Sequence, residues 1–599
     1  MQKHHQSLRS LARTHGIDLR RPSSDGSTAA VSDATLKMML TALKVTFDDE
    51  TAPTGPANCF LPPEIIDRPC WGLSLQLYEL RSARNWGIGD FLDLEACSDL
   101  AGPLGADFIG LNPLHAPFTA DPERCSPYEP SNRQFLNPFY IAVDAVEGFV
   151  MTPALDERIR RLRATGLVDY RQVAELKLEV LLDLWMSGEG GRGSPDFAAY
   201  VSEGGEGLQR HALFEAISTE MGRRGIGTGW HAWPEAYRTP FSEEVGRFAE
   251  EHAENIMFHK WLQWLAHQQL GQAGTRARER GMRIGLYLDL AVGEALDGSA
   301  TWSDPDFYVS GASIGNPPEP YAIDGQDWRL AALLPDAIAS GEASPFHKML
   351  AAAMRYAGAI RIDHAAALSR LFLVPTSGTP ADGAYVSYPQ EDLLQVLSRA
   401  SQQYRSIVIG EDLGNIPGGL REDLADAQIL SYRILSYERN GQGFIAPDAY
   451  PALALACVST HDHQTFTGWW RGDDIALRSE HRLVPAELAE VHETARQEER
   501  DDLLRAFADA EVRQPAVTTG ENESIALAVA SYRYIAQTPS AMVAVRLADL
   551  TNEPNPTNIP GTSTSYPNWK PKLSVPLESL GEAPLFRKIV TAISQIRPR

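Results

Sequence analysis

Short, nearly continuous apolar runs recur along the chain from residue 67 onward. They are 73-LSLQLY-78, 108-FIGLNP-113, 283-RIGLYLDL-290, 359-AIRID-363, 407-IVIGE-411, 432-YRIL-435, 456-ACVSTHD-462 and 541-AMVAVRLAD-549. Most do not alternate apolar with polar residues, the pattern of strands covered on both faces. Helical periodicity fills many of the gaps; in 257-MFHKWLQWLAHQQL-270, Phe258, Trp261, Leu262 and Leu265 fall on one face. Eight such strands interleaved with helices predict an α/β fold, a closed (β/α)8 TIM barrel. That architecture needs about 250 residues, and this chain has 599, so it must carry insertions. We expect the barrel to occupy 67–599, with a helical insertion at about 146–255 and smaller ones at about 298–345 and 470–525. Residues 1–66, helical around 34-ATLKMMLTALK-44 and otherwise rich in Ser, Gly and Pro, read as an N-terminal extension and linker. An open doubly wound sheet would need a Gly-rich phosphate loop after an early strand, and the sequence has none.

Charge narrows the partners. Lys and Arg number 54 against 78 Asp and Glu, a net charge of −24. A chain this acidic repels phosphate backbones, so no nucleic-acid partner is expected, and a neutral substrate fits better. The five cysteines contain no C-x-x-C pair, which argues against a disulfide framework or a zinc knuckle. The start, MQKHHQSLRSLARTHG, lacks the apolar centre of a secretory signal, and no 18-residue apolar span occurs. The expectation is a cytoplasmic protein with no membrane partner, either monomer or homodimer.

Acidic residues gather at the ends of the predicted strands. Asp363 ends the fourth run, Glu411 the fifth, and His461 with Asp462 the seventh, while Asp289 and Asp297 follow the third. In a barrel these ends open onto one mouth. Two carboxylates facing one another across a cleft are the equipment for cleaving a glycosidic bond: one protonates the leaving oxygen and the other stabilises or attacks the anomeric carbon from the opposite side. Arg361 shares a strand face with Asp363 and gives it a counter-charge, which favours Asp363 as nucleophile. Glu411 must then be the acid, its proton retained through desolvation and negative neighbours. Each residue also has a purely structural explanation. Arg361–Asp363 could be a rim ion pair, Glu411-Asp412 a helix N-cap, and His461-Asp462 a polar pair closing a strand. Their coincidence at three strand ends is what favours chemistry. His461-Asp462-His463 is an H-x-H, but a metal-dependent barrel hydrolase needs several convergent histidines and usually an H-x-H on the first strand, which LSLQLY lacks. No metal and no organic cofactor is expected.

The segments RIDH, IGEDLG and THD, in that order, resemble the catalytic regions of the 4-α-glucanotransferases known as amylomaltases or disproportionating enzymes, within the α-amylase superfamily. Further segments agree: 84-RNWGIGDFLDL-94, 126-SPYEPSNRQFLNPFYI-141, 228-TGWHAWPEAY-237, 286-LYLDLAVG-293, 315-GNPPEPYAIDGQDW-328, 388-YPQEDLL-394 and 558-NIPGTSTSYPNWKPKL-573. The resemblance runs from about residue 70 to about 575, and 33-DATLKMMLTALKV-45 looks like the extension of longer bacterial members.

The resemblance implies that Asp363 is the nucleophile, Glu411 the general acid/base, and Asp462 a third carboxylate gripping sugar hydroxyls. It implies substrate contacts from Arg361, His364, His461 and Asn558, and a stacking role for Tyr128. Asp297 and Trp302 match the region after the third strand, and Glu319, Tyr321, Gln326 and Trp328 a loop over the acceptor side. The implied activity is transfer of α-1,4-glucan segments between maltooligosaccharides by a retaining double displacement. An α-1,4-glucan hydrolase with the same triad and a non-catalytic glucan-binding protein are the alternatives. Three departures bear on chain length and acceptor choice: Pro317-Pro318-Glu319 where the family reads PPD, His463-Gln464-Thr465 where many bacterial relatives read Leu-Pro-Thr, and AAALSRLF after RIDH.

Overall fold

The structure, a computed structural model, describes residues 8–14, 17, 19–22, 28–43, 45, 58–318, 324–338, 344–512, 521–562 and 565–599. Its centre is a closed barrel of eight strands: β1 Cys70–Leu75, β2 Phe108–Leu111, β3 Gly285–Leu290, β4 Ala359–Ile362, β5 Ile407–Gly410, β6 Leu430–Ile434, β7 Ala454–Cys457 and β8 Met542–Arg546. Every pairing is parallel and joins consecutive strands, and β8 closes on β1 with Met542 opposite Cys70.

The interior is filled from all eight strands: Cys70, Phe108, Tyr287, Ala359, Ile407, Ile409, Leu430, Tyr432, Leu455, Cys457, Met542 and Ala544 form one buried cluster. Alternate residues face the surrounding helices; Ile360 and Ile362 of β4 pack there with Phe346, Met349 and Leu397. Burial on both faces explains why the runs are continuous rather than alternating. Gly72 makes the packing fit: a Cβ there would lie 2.5 Å from Cγ of Phe108, whose ring packs edge-on against Tyr287 at 5.9 Å. Toward the C-terminal ends the inward positions turn polar, with Arg361 opposite Asp289 in register and Arg546 opposite Ser74.

Strand bounds differ from the sequence pattern, most at β1 and β7. β1 starts at Cys70 and stops at Leu75; Leu77–Glu79 is a 3-10 turn, its apolar residues buried against neighbouring elements rather than in the barrel. β7 stops at Cys457, so His461 and Asp462 stand on the loop beyond it. Asp289 lies inside β3, not after it.

Helices Pro153–Ala164, Tyr170–Ser187, Pro195–Arg223 and Glu243–Glu251 lie between β2 and β3, before the long helix Ala253–Glu279 that buries Phe258, Trp261, Leu262 and Leu265. Beside the barrel mouth a five-stranded antiparallel sheet, in the order Ala384–Ser387, Arg370–Pro375, Ala312–Asn316, Gln326–Ala331, Glu294–Ala295, is built from the segments after β3 and β4. In the N-terminal region, helices Leu8–Thr14 and Asp33–Ala42 bury Ala12, Leu36 and Leu40 together, and Arg13 reaches Asp423 at 3.2 Å. Among the described residues no helix is long and apolar enough to cross a membrane.

Candidate active site

Asp363 is the first residue past β4, its N–H bonded to Leu290 O at 3.1 Å. Its Oδ1 lies 2.9 Å from Arg361 Nη1, and its Oδ2 accepts the Val292 N–H at 3.3 Å. The same Nη1 is 2.8 Å from both oxygens of Asp289. Arg361 is buried, with its guanidinium over the Tyr432 ring at 5.5 Å, where the ring face favours a cation.

From Asp289 the contacts continue around the mouth. Tyr128 Oη donates to Asp289 Oδ2 at 2.7 Å, and the Tyr128 ring stacks on His461 at 4.8 Å with 20° between planes. His461 Nε2 meets Asp462 Oδ2 at 3.0 Å, and Asn558 Nδ2 donates to Asp462 Oδ1 at 3.0 Å. Asp363 and Asp462, 99 residues apart in sequence, are thus the two ends of one contact chain through Arg361, Asp289, Tyr128 and His461.

Glu411 enters from β5. Its own N–H bonds Ile362 O at 3.0 Å, and its carboxylate accepts the N–H of His364 at 2.9 Å and of Leu413 at 2.9 Å. His364 has φ of 48°, a left-handed conformation that non-glycine residues adopt only at a cost. That turn aims the His364 N–H at Glu411 and the following Ala365 N–H at the Glu411 carbonyl, 2.8 Å away.

Electrostatics separate the carboxyls. Desolvation pushes Glu411 up to about 7; Arg361 opposes the rise and Asp363 adds to it. At Asp462 desolvation is outweighed by His461 and by the hydrogen bonds from His461 and Asn558, which hold the group below the ordinary carboxylate range. The site therefore pairs a carboxyl able to keep its proton near neutrality with one that stays charged, and Asp363 sits against a guanidinium. That is the acid-and-anion equipment of glycosyl transfer.

A family model described as 4-alpha-glucanotransferase matches residues 75–577. This chain belongs to the 4-alpha-glucanotransferase family. The 4-alpha-glucanotransferase of Haemophilus influenzae is 33% identical over 569 residues, 91% of this chain and 81% of that relative. The Mycobacterium bovis 4-alpha-glucanotransferase is 32% identical over 538 residues, 86% and 73% of the two chains. The crystal structure of amylomaltase from Corynebacterium glutamicum has a TM-score of 0.79 at 25% identity, covering 98% of this chain and 99% of that one. An amylomaltase from Streptococcus agalactiae, solved in complex with acarbose, shares the fold at a TM-score of 0.70, 18% identity, and coverage of 89% and 100%.

Within this 4-alpha-glucanotransferase family member, the remaining residues singled out from sequence divide. Trp328 packs edge-on to His364 at 5.4 Å, its Nε1 donating to Gln326 Oε1 at 2.8 Å, which brings both to the Glu411 side. Glu319 and Tyr321 lie outside the described residues. Trp302, expected among the substrate contacts, is instead fully buried, packed on Phe214 at 5.8 Å and Trp233 at 6.2 Å, with its Nε1 donating to Tyr237 O. A ring sealed between the short helix Ser299–Ser303 and the helix Pro195–Arg223 has no face for a sugar. Asp297 is engaged elsewhere too: Arg124 donates to both its oxygens at 3.1 and 2.9 Å, an ion pair off the Asp363–Asp462 contact chain.

Asp412, beside Glu411, is the structural member of that pair. It is buried and holds Arg421, Ser431 and the Tyr432 N–H, tying β5 to β6, while the next helix, Leu420–Asp426, takes Gly419 as its cap. The H-x-H does not converge: His463 spends Nδ1 on Thr460 Oγ1 at 2.7 Å and Nε2 on Tyr437 Oη at 2.8 Å, while His461 turns to Asp462. Two residues escaped sequence reasoning. Asp289 was legible only as an acid near a strand end, not as the partner of Arg361. Trp569, in the PNW of the last matching segment, packs 5.4 Å from Tyr128 and 5.7 Å from His461, and no periodicity marks it.

Proposed function

We propose that this enzyme moves α-1,4-glucan segments from a donor maltooligosaccharide to the 4-hydroxyl of a glucan or glucose acceptor by a retaining double displacement. Asp363 attacks the anomeric carbon while Glu411 gives its proton to the departing 4-oxygen, leaving a β-glycosyl ester on Asp363. Glu411, now a carboxylate, takes the proton of the incoming 4-hydroxyl, and that oxygen displaces Asp363 with net retention. Asp462, fixed by His461 and Asn558, holds sugar hydroxyls and faces the positive charge that develops on the ring. Trp328 offers an aromatic wall on the Glu411 side, where an acceptor sugar must be positioned ahead of water.

The observation that carries this reading is the contrast between Asp363 and Glu411. One lies 2.9 Å from a guanidinium, and the other is pushed up to about 7 by its enclosure. The five cysteines are all free, which accords with a reducing compartment, and the reading includes a cytoplasmic location. Incubation with purified maltotriose and separation of products by size tests it. Glucose together with maltodextrins longer than the donor is the expected outcome; glucose and maltose alone would make the enzyme a hydrolase.

A further inference from the structure

Trp569 is held in an unusual way for a residue that merely fills space. Its φ is 62°, the left-handed region, where a bulky aromatic is an outlier. Its backbone is tied on both sides: the N–H donates to Thr557 O at 3.1 Å, and its carbonyl accepts the Tyr170 hydroxyl at 2.9 Å. The flanking residues are pinned to the same region of the helical segment between β2 and β3. Val168 N–H donates to Lys570 O at 2.7 Å, and Lys572 N–H to Gly166 O at 3.0 Å. Asn568 folds the loop on itself, accepting the Ile559 N–H and donating to Thr562.

The loop so braced delivers two groups to one place. Asn558, next to Thr557, bonds Asp462. The Trp569 ring closes over Tyr128 and His461, making a cluster of three rings in which Tyr128 and His461 are the stacked pair. Trp569 is itself buried, 7% exposed, so its influence runs through its neighbours. With the wall removed, the Tyr128–His461 stack loses its backing. His461 is then free to swing from Asp462, and Tyr128 from Asp289.

We propose that Trp569 is a positioning residue for the Tyr128–His461 pair, and that Tyr170 couples the helical segment to the active site by locking Trp569 in its left-handed conformation. The proposal rests on the transfer reading above. A left-handed residue persists where its surroundings over-determine it, and such positions cluster at functional sites; a misplacement of about 1 Å at a reacting centre costs roughly a hundredfold in rate.

The test compares Trp569→Phe, Trp569→Leu and Tyr170→Phe with the parent for maltotriose transfer, recording kcat, KM and Tm. Trp569→Leu is expected to lose kcat roughly ten- to a hundredfold at a Tm that leaves it folded, with KM changed far less. Trp569→Phe, which restores an aromatic wall, recovers most of the loss. Parental kcat in folded Trp569→Leu overturns the proposal, as does a loss in both Trp569 variants that tracks only the unfolded fraction. Should Trp569→Leu fail to fold, Tyr170→Phe decides: lowered kcat at parental Tm supports the coupling, and parental kcat overturns it. A parent that transfers while Trp569→Leu equals it sinks only the positioning role. A parent with no transfer at all sinks the underlying reading and this role with it.

Discussion

Arg361 Nη1 lies 2.8 Å from both oxygens of Asp289 and 2.9 Å from Oδ1 of Asp363. Asp289 faces Arg361 in register on the neighbouring strand and Asp363 stands one residue past the end of β4, so the barrel itself sets the position of the proposed nucleophile. A lysine carries its charge on a shorter, flexible stem, and its ammonium does not reach the position from which Nη1 touches both carboxylates while the guanidinium plane lies over Tyr432. Arg361→Lys is expected to fold, with unchanged far-UV circular dichroism, and to lose at least about a hundredfold in kcat/KM for maltotriose. Near-parental turnover in a folded Arg361→Lys would show that Asp363 needs no such aiming.

In the proposed mechanism the acidity of Glu411 sets the alkaline side of the pH profile. In the first half-reaction it must carry a proton, and its enclosure raises it to about 7 from the ordinary carboxylate value. The rate for the free enzyme, kcat/KM, should therefore fall tenfold per pH unit above about 7, as the acid ionises. A profile flat to pH 9 would mean that another group donates the proton.

A second buried carboxyl makes stability, rather than rate, depend on pH. Glu215 is buried beneath Thr119, which donates to it through both N–H and hydroxyl, and desolvation raises it to about 7. The native state keeps this proton where the unfolded chain has released it. The contribution is thus full below the unfolded value near 4.5 and is lost as pH rises through about 7, up to ~3 kcal/mol in total. Glu79 and Asp93, buried and raised to about 7, act in the same direction. Glu215→Gln, which cannot ionise, should show a smaller drop in Tm between pH 5 and pH 8 than the parent. An identical drop would remove Glu215 from the account.

The barrel was legible because its strands are covered on both faces, and runs such as 407-IVIGE-411 then need no alternation to be recognised. The positions of Asp363 and Glu411 were legible for the same reason, each being the last residue of such a run and the first past its strand. What could not be read was anything set by lateral contact between distant segments. Trp302 looks like a binding aromatic in sequence, yet Phe214 and Trp233, from the helical segment, seal it away. Asp297 is claimed by Arg124, 173 residues earlier. The five-stranded sheet beside the mouth has Ala312–Asn316 and Gln326–Ala331 as paired neighbours, joined across a bulge at Asp327–Leu330 that no hydrophobic period announces. Trp569 depends on a left-handed backbone residue, and composition carries no signal for that.

In the proposed mechanism Asp363 forms the covalent bond to the sugar and Glu411 moves the protons. That assignment is tested most directly by mass spectrometry of Glu411→Gln mixed with an α-maltosyl fluoride. Fluoride leaves without an acid, so glycosylation of Asp363 proceeds, while its release to an acceptor lacks a base and slows. The expected product is an intact protein heavier by one maltosyl unit, with the adduct on the peptide that contains Asp363. No adduct, or an adduct on any other residue, would contradict that assignment.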